Sequence, residues 1–481
     1  MSSGTFDVVI VGNGSIGLST AIALADEQPD ASVAVVGPSA RVYAATPAAG
    51  AMLGCFGEIT AAGVASPYGR RKFELAKTAR GYWPAWFERL GVAPDSVLTT
   101  RETVVLLNSV GYSEVDSGNF VAIERELRDA NEPFSEIDVN DIKWIDPDSN
   151  FRPLRALHLP NEGAVDSGAL LDALTAAAEQ RGVTFIDATA TALRAANGRI
   201  QGVDVAGGTI SGGTVVVAAG AASGPLIQSV PELAYRVPMV VAGGGVSVLA
   251  QVGDQSVPPY VLRTPNRAFA CGLHVVPRKN GTVYVGATND VYFEPQTDWE
   301  LADLIFLTDG AIRQVRRDLN HAKIQHIGLG NRPMSIDGWP LIGPTSVDNL
   351  WILTGTYRDG LHQSPMLATD LARRISGKEG VVDLSEFRPE REPINPVDKS
   401  TVLDDVVRHT LACGHEDPWR VDPDWPGFIA NVSRTAYSAL IDRLGTDYIA
   451  PPEVLHSLLM AGDTEISRIQ DYYKAVYAAW H

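Results

Sequence analysis

Residues 6–11 form an apolar, largely β-branched run, and beyond Gly12-Asn13-Gly14 the apolar positions Ile16, Ala21, Leu24 and Ala25 recur at helical spacing. Strand, tight turn and helix follow from that change of period. A second apolar run at 32–36 closes a βαβ unit within about 30 residues, the length a parallel pair with its crossover needs. Residues 68–90 predict one long helix and 103–107 a strand. Over 167–181, Leu170, Leu171, Leu174 and Ala178 share one face of an amphipathic helix. Phe185, Val203, Val205 and residues 215–218 predict strands returning to a sheet. Residues 239–286 are rich in strand formers, and 275–285 carry Asn280-Gly281 at the centre of a hairpin. A last apolar strand at 350–353 precedes a helix over 361–375. This interleaving predicts an α/β protein with an inserted, more antiparallel domain.

Beyond residue 376 the texture changes. Residues 386–397 are rich in proline and charge and predict an arm along the surface. Three helices are expected after it: 400–413, stopping at Gly414; a stripe of Ile429, Val432, Ala436 and Leu440 ending at Gly445; and a last helix from Asp463 or Thr464 with Ile466, Ile469, Tyr473, Val476, Tyr477 and Trp480 on its apolar face. These stripes need burial, either against the body of the chain or across the interface of a homo-oligomer.

The length of 481 residues is a prior for two or three domains. With 45% hydrophobic and 20% charged residues the composition is that of a globular protein, not a disordered or fibrous one. The formal charge of −18 argues against nucleic acid and acidic membranes as partners. Cys55, Cys271 and Cys413 lie far apart, so neither a disulfide framework nor a metal site is expected. The N-terminal segment does not read as a signal peptide. The most membrane-like stretch, 239–252, is too short to span and is broken by Gly243, Gly244 and Gly245, so a cytoplasmic protein is expected.

Gly12-Asn13-Gly14-Ser15-Ile16-Gly17 matches G-x-G-x-x-G, a spacing that arises easily in a chain with 45 glycines. Its position between a strand and a helix gives it meaning, because backbone N–H groups at a helix start hold a pyrophosphate. The acid that usually ends the second strand and binds a ribose hydroxyl is replaced by Gly37, leaving Ser39 and Arg41 as nearby polar groups. Arg41 suits a phosphorylated ribose; Ser39 or backbone groups suit another dinucleotide. A run of small residues, 46–54, suits either a flat cofactor or close helix packing.

That run and the 12–17 turn resemble the flavin-lining motifs of the glycine oxidase and D-amino-acid oxidase family of FAD enzymes. Further segments resemble the family in order: 163–171; Val276-Pro277-Arg278 with 285–288; 332–343, which opens Arg332-Pro333-Met334-Ser335; and 355–361, Gly-Thr-Tyr-Arg-Asp-Gly-Leu. The resemblance implies a two-domain FAD-dependent oxidoreductase: a Rossmann-type FAD domain (1–62, 150–235 and 320–385), an inserted mixed or antiparallel-sheet substrate domain (63–149 and 236–319), and a helical C-terminal extension (386–481).

It further implies noncovalent FAD, since no cysteine precedes Arg332 where a flavin link would lie. Gly12, Gly14, Ser15, Ile16 and Gly17 would hold its pyrophosphate, with Ser39 and Arg41 near the ribose. Thr46, Ala48, Ala49, Met52 and Leu53 would line the flavin, and Thr191 and Gly220 would also touch the cofactor. Thr356, Arg358, Asp359, Gly360 and Leu361 would form a helix start aimed at the ring. Arg332 matches the family arginine that pairs with a substrate carboxylate, a role suited to a planar fork. His274 stands where glycine oxidase presents a tyrosine, and would donate a hydrogen bond or, when neutral, accept a proton, making activity sensitive to pH near neutrality. Arg358, Glu58, His362 and Phe56 fall near the same face. The implied activity is dehydrogenation of an amino acid or N-substituted amino acid to an imine, hydrolysed to an oxo acid and an amine, with O2 reduced to H2O2. Three alternatives stay open: a dehydrogenase with another acceptor, an NADP-dependent reductase, and a noncatalytic FAD-binding scaffold whose tail recruits a partner.

Overall fold

The computed structural model describes residues 4–481 apart from 255, 268, 270, 271, 396 and 417–424; Cys271 therefore lies outside the described residues. The first strand, Thr5–Val11, pairs in parallel with Val33–Val36 on one side and Gly208–Val217 on the other. Thr184–Ile186 and Leu350–Thr354 extend the parallel run outward. Val8–Val11 and Val33–Val36 are buried throughout, as expected where helices cover both faces of a parallel sheet. Helix Ser15–Glu27 lies against helices Gly360–Ile375 and Ser167–Gln180, all three contributing to one core.

A second sheet is mixed and mostly antiparallel. Its backbone is a long ladder between Val240–Gln251 and Lys323–Ser335. The predicted hairpin, His274–Pro277 and Thr282–Gly286, stands next to the first of these, with Gly281 at φ +75 in its turn. The sheet continues through Val261–Arg263 and Thr103–Asn108 to Pro153–Leu159. Thus 153–159 and 323–335, which the expected boundaries gave to the cofactor domain, are strands of this second sheet. Residues 75–90, expected in the substrate domain, bury Leu75, Ala79, Trp83 and Trp86 in the core of the first. The chain crosses between the two bodies more often than the boundaries read from sequence allowed.

The expected helix over 68–90 is two helices, Pro67–Arg80 and Trp83–Leu90. Pro84 explains the break, because its ring cannot follow the carbonyl four residues earlier within a continuous helix. In the extension, helix Lys399–Glu416 runs through Gly414 instead of stopping there. A mid-helix glycine costs only about 1 kcal/mol, and the buried Leu411 and Ala412 hold that turn in place. A short helix not expected from the sequence, Pro452–Ala461, buries Val454, Leu455 and Leu458. Among the described residues no helix is long and apolar enough to cross a membrane.

The extension packs on the body. Val402, Leu403, Val406, Tyr437, Leu455 and Ile469 share a core with Val241 and Met334 of the second sheet and with Ile336 just beyond it. A buried ion pair fastens the arm that leads there. Arg391 donates from Nε and Nη2 to Asp337 at 3.0–3.2 Å, and from Nη1 to the Pro340 carbonyl at 3.0 Å. Removing one partner of such a pair strands the other charge, at about 3–5 kcal/mol. Arg391→Met is therefore expected to lower the melting temperature by several degrees; an unchanged melting curve would show that the pair does not hold the arm.

Candidate active site

A cavity of about 420 Å3 runs between the two sheets. At one end, Gly12, Gly14, Ser15 and Ile16 line it where the first strand turns into its helix. Gly12 takes φ +120, which favours glycine. Gly17 does not face the cavity; a Cβ there would lie 1.9 Å from the Gly12 carbonyl oxygen, so its role is close packing of helix on turn. Gly14 at the N-cap offers no side chain and no acid sits in the first turn. The Ser15 N–H donates to Thr46 Oγ1 at 3.2 Å, and the N–H groups that follow it at the helix start are positioned to meet an anion.

The missing acid at Gly37 has a steric reason. A Cβ at this position would meet the Asn13 side chain at 2.8 Å, and Asn13 Nδ2 donates to the Pro38 carbonyl at 2.9 Å. Arg41 lines the cavity but braces the turn, donating from Nε to the Asn13 carbonyl at 2.9 Å. Ser39 does not line it: its N–H and hydroxyl are bound by the Asp187 carboxylate at 2.8 and 3.0 Å. Thr191 is likewise turned away, its hydroxyl on the Asp204 carbonyl at 3.2 Å, and Thr189 and Ala190 line the cavity instead. Both corrections come from partners remote in sequence.

Of the small-residue run, Thr46, Ala48, Ala49, Gly50 and Met52 line the middle of the cavity. Leu53 alternates away into the core, as the period of a strand demands. Phe56 is fully buried beside Phe73 in a separate core and also lies off the cavity. The run is held by residues to which the sequence assigns no role at the cavity. Tyr284 donates from its hydroxyl to the Ala48 carbonyl at 3.1 Å, and Arg278 to that of Ala49 at 3.2 Å. The buried Glu162 carboxylate accepts the N–H groups of Cys55, Phe56 and Gly57 at 2.6–3.0 Å.

Opposite this wall, Gly220 and residues 356–362 complete the lining. Asp359 offers no side-chain cap to helix Gly360–Ile375, so a second set of leading N–H groups meets the cavity. Thr356 Oγ1 and His362 Nδ1 are buried without a hydrogen-bond partner among the described residues. His362 Nε2 faces the Ala76 carbonyl at 2.8 Å, and burial lowers its pKa, so the ring is neutral with Nδ1 as acceptor. Two uncapped helix starts, a wall of small residues and two orphaned polar atoms fit an elongated dinucleotide carrying a flat ring.

Part of the cavity lining is charged. Arg332 donates from Nη1 to the Thr288 carbonyl at 3.2 Å and to Asn289 Oδ1 at 3.0 Å. Its guanidinium fits because residue 245 has no side chain: a Cβ on Gly245 would lie 2.2 Å from Nη1. Glu58 is paired with the buried Arg263 and has Arg358 at 3.9 Å. Burial alone would raise the Glu58 carboxyl, but the two guanidinium groups outweigh it and keep the group well below the usual carboxylate range.

His274 stacks on Tyr284 with ring centres 5.7 Å apart, and its Nδ1 lies 3.0 Å from the Gly272 carbonyl. A carbonyl only accepts, so Nδ1 carries the proton and Nε2 is a lone-pair acceptor. Burial, with Arg263 and Arg332 adding to it, pushes the His274 pKa down to about 3 against the pull of Gly272 and Glu58. The expected sensitivity near neutrality is therefore corrected: this ring is uncharged there. An unfolded histidine titrates near 6.5, so between about 6.5 and about 3 the unfolded chain binds a proton that the folded chain refuses. The stability owed to the neutral ring is complete above that window and declines as pH falls through it. His274→Gln is expected to lose less melting temperature than the parent between about pH 7.5 and about pH 5; equal losses would show that His274 is not the refusing group.

The family model DAO, FAD dependent oxidoreductase, matches residues 7–374. A glycine oxidase of Pseudomonas aeruginosa is 27% identical over 394 residues, spanning 79% of this chain and 98% of that protein. A bifunctional ThiO/ThiG protein of Nostoc is 28% identical over 399 residues, 80% of this chain and 55% of that one. Among solved structures, glycine oxidase from Geobacillus kaustophilus superposes with a TM-score of 0.67 at 23% identity, covering 82% of this chain and 100% of its own. Iminodiacetate oxidase from Chelativorans gives 0.67 at 20% identity, covering 80% and 100%.

Proposed function

The chain belongs to the DAO family of FAD-dependent oxidoreductases, and on that premise we propose that it oxidises the C–N bond of a small amino acid or N-substituted amino acid. The imine would hydrolyse to an oxo acid and an amine, with O2 taking up the two electrons as H2O2. The observation that supports this reading is Arg332, a guanidinium fixed at Nη1 on the lining of the cavity.

Bound FAD supplies the two-electron acceptor. The chain's own residues do the rest by position and charge. Gly12, Gly14, Ser15 and Ile16 would hold the pyrophosphate, and Thr46, Ala48, Ala49 and Met52 would lie along the ring. The uncapped start of Gly360–Ile375 would stabilise negative charge developing there. Arg332 would take the substrate carboxylate as a charge-assisted pair. His274, neutral with Nε2 as acceptor, would receive an amine N–H, so that nitrogen is oriented by a group that does not itself titrate near neutrality. Glu58 and Arg358, ionised side by side, would close the polar end. Cys55 is buried in a core and Cys413 lies in the extension, and FAD would be held without a covalent link.

The test is a panel of glycine, N-methylglycine and other amino and N-substituted amino acids, scored for anaerobic flavin bleaching and aerobic peroxide release. Bleaching with stoichiometric peroxide is expected for at least one member. Bleaching without peroxide would make the protein a dehydrogenase using another acceptor, and no bleaching by any amine would sink the reading.

A further inference from the structure

The extension lies outside the stretch that matches the family, yet two of its side chains touch a residue one hydrogen-bonded side chain away from Arg332. Phe269 is the point of contact. Its ring lies against His456 with centres 4.4 Å apart and planes at 18°, and against His409 at 5.1 Å and 36°. Its N–H donates to His409 Nδ1 at 2.6 Å. Phe269 is buried, and its φ of +48 lies in the left-handed region. A large side chain holds such a backbone only where its surroundings over-determine it, and here the two histidines stand beside a buried core that includes Val115 and Val291.

From Phe269 the contacts lead inward. Its carbonyl accepts from Asn289 Nδ2 at 3.3 Å, and Asn289 Oδ1 accepts from Arg332 Nη1 at 3.0 Å. Asn289 Nδ2 also bonds the Tyr357 hydroxyl, and Tyr357 donates its own N–H to the Pro333 carbonyl at 2.7 Å. With both ends of the amide engaged, a displacement of the Phe269 carbonyl reaches the guanidinium through a rigid plane. On the other side the histidines are fixed by the extension itself. His456 Nδ1 bonds the Tyr437 hydroxyl at 2.9 Å, and His409 Nε2 stands 3.6 Å from Asp405.

We propose that the helical extension is a positioning element for the carboxylate site: His409 and His456 clamp Phe269, and through Phe269 and Asn289 they set the guanidinium of Arg332. This rests on the reading of Arg332 as the carboxylate anchor. The extension thereby acts in substrate binding without touching substrate.

Acetate, a bare carboxylate, is the probe, titrated into FAD-loaded enzyme and followed by the flavin spectrum alongside steady-state kinetics. His409→Leu removes the acceptor for the Phe269 N–H and is expected to raise both the acetate Kd and the substrate KM about tenfold, with kcat changed less than about twofold. His409→Asn, whose Oδ1 stands near the place of Nδ1, should bring the acetate Kd back to within about twofold of the parent. If the leucine variant does not fold, His409→Gln, which shifts the acceptor by one bond, takes its place with the same expected shift. Wild-type acetate affinity in the leucine or glutamine variant, or an asparagine variant as weak as these, would overturn the proposal. Arg332→Ala separates the two readings. If it weakens acetate while the His409 variants do not, only the clamp fails; if it leaves acetate binding untouched, the anchor role fails first.

Discussion

Gly245→Ala is expected to raise the substrate KM about a hundredfold while the protein still folds and still binds FAD, and Arg332→Ala to fail in the same way. The new methyl would sit 2.2, 2.4 and 2.5 Å from Nη1, Nη2 and Cζ of Arg332. These atoms are the free end of a long side chain, so they swing aside and the ladder between the two strands survives. The stability cost is therefore small, but the donors leave the place where a carboxylate would meet them. A hydrogen bond to a charged group contributes roughly 1.5–3 kcal/mol, and about 2.7 kcal/mol corresponds to the hundredfold expected. Steady-state kinetics with a thermal melt decides the matter. A variant with parental KM would show that the guanidinium position does not govern binding, and one that melts early would show that Gly245 serves the fold.

Gly12→Ala should have the opposite signature, loss of the holoenzyme itself. Its Cβ would lie 2.1 Å from the Ala218 carbonyl oxygen, a backbone atom, and the residue would have to keep φ near +120. Neither backbone has room to move. Gly12 donates its N–H to the Val36 carbonyl at 2.8 Å, and Ala218 donates to that of Val11 at 2.8 Å, so the clash falls at the joint of three parallel strands. The first turn of the helix, with its N–H groups, would be pushed out of line with any pyrophosphate. The expected result is protein that purifies without flavin absorbance or aggregates. A yellow variant with parental FAD content would remove the turn from the cofactor site.

These two glycines differ in how far the sequence reveals them. Gly12 belongs to a local pattern, since the strand before it and the helix after it are near neighbours in the chain, and the period of apolar residues changes across it. The hairpin around Asn280-Gly281 and the helix after Asp359 are legible for the same reason. Gly245, by contrast, reads only as one of three glycines that interrupt an apolar stretch. In the ladder, Gly243 pairs with Arg332 and Gly245 with Gly330; Gly243 leaves room for Tyr357, Gly244 for Tyr292 and Gly245 for Arg332. None of those neighbours is close in sequence.

Where the structure departs from the sequence expectation, contacts between distant segments are again responsible. Ser39 and Thr191 are polar residues at plausible places along the chain, but Asp187 and the Asp204 carbonyl claim their hydroxyls. Leu53 faces away because a two-residue strand step alternates its side chains. The residue type of His274 predicts a titration near neutrality, and burial next to Arg263 and Arg332 removes it.

Periodicity, glycine placement and turn chemistry act over a few residues, so the sequence alone determined the cofactor turn, the two kinds of sheet and the family resemblance that singles out Arg332. Sheet register, buried charge and the docking of the extension act between segments far apart in the chain. Only the tertiary structure decided which glycine makes room for the guanidinium, that Glu58 is ionised and His274 neutral, and that the last helices close against Phe269. The reason is physical: hydrogen bonds, sterics and desolvation depend on what is near in space, and the chain records only what is near along its length.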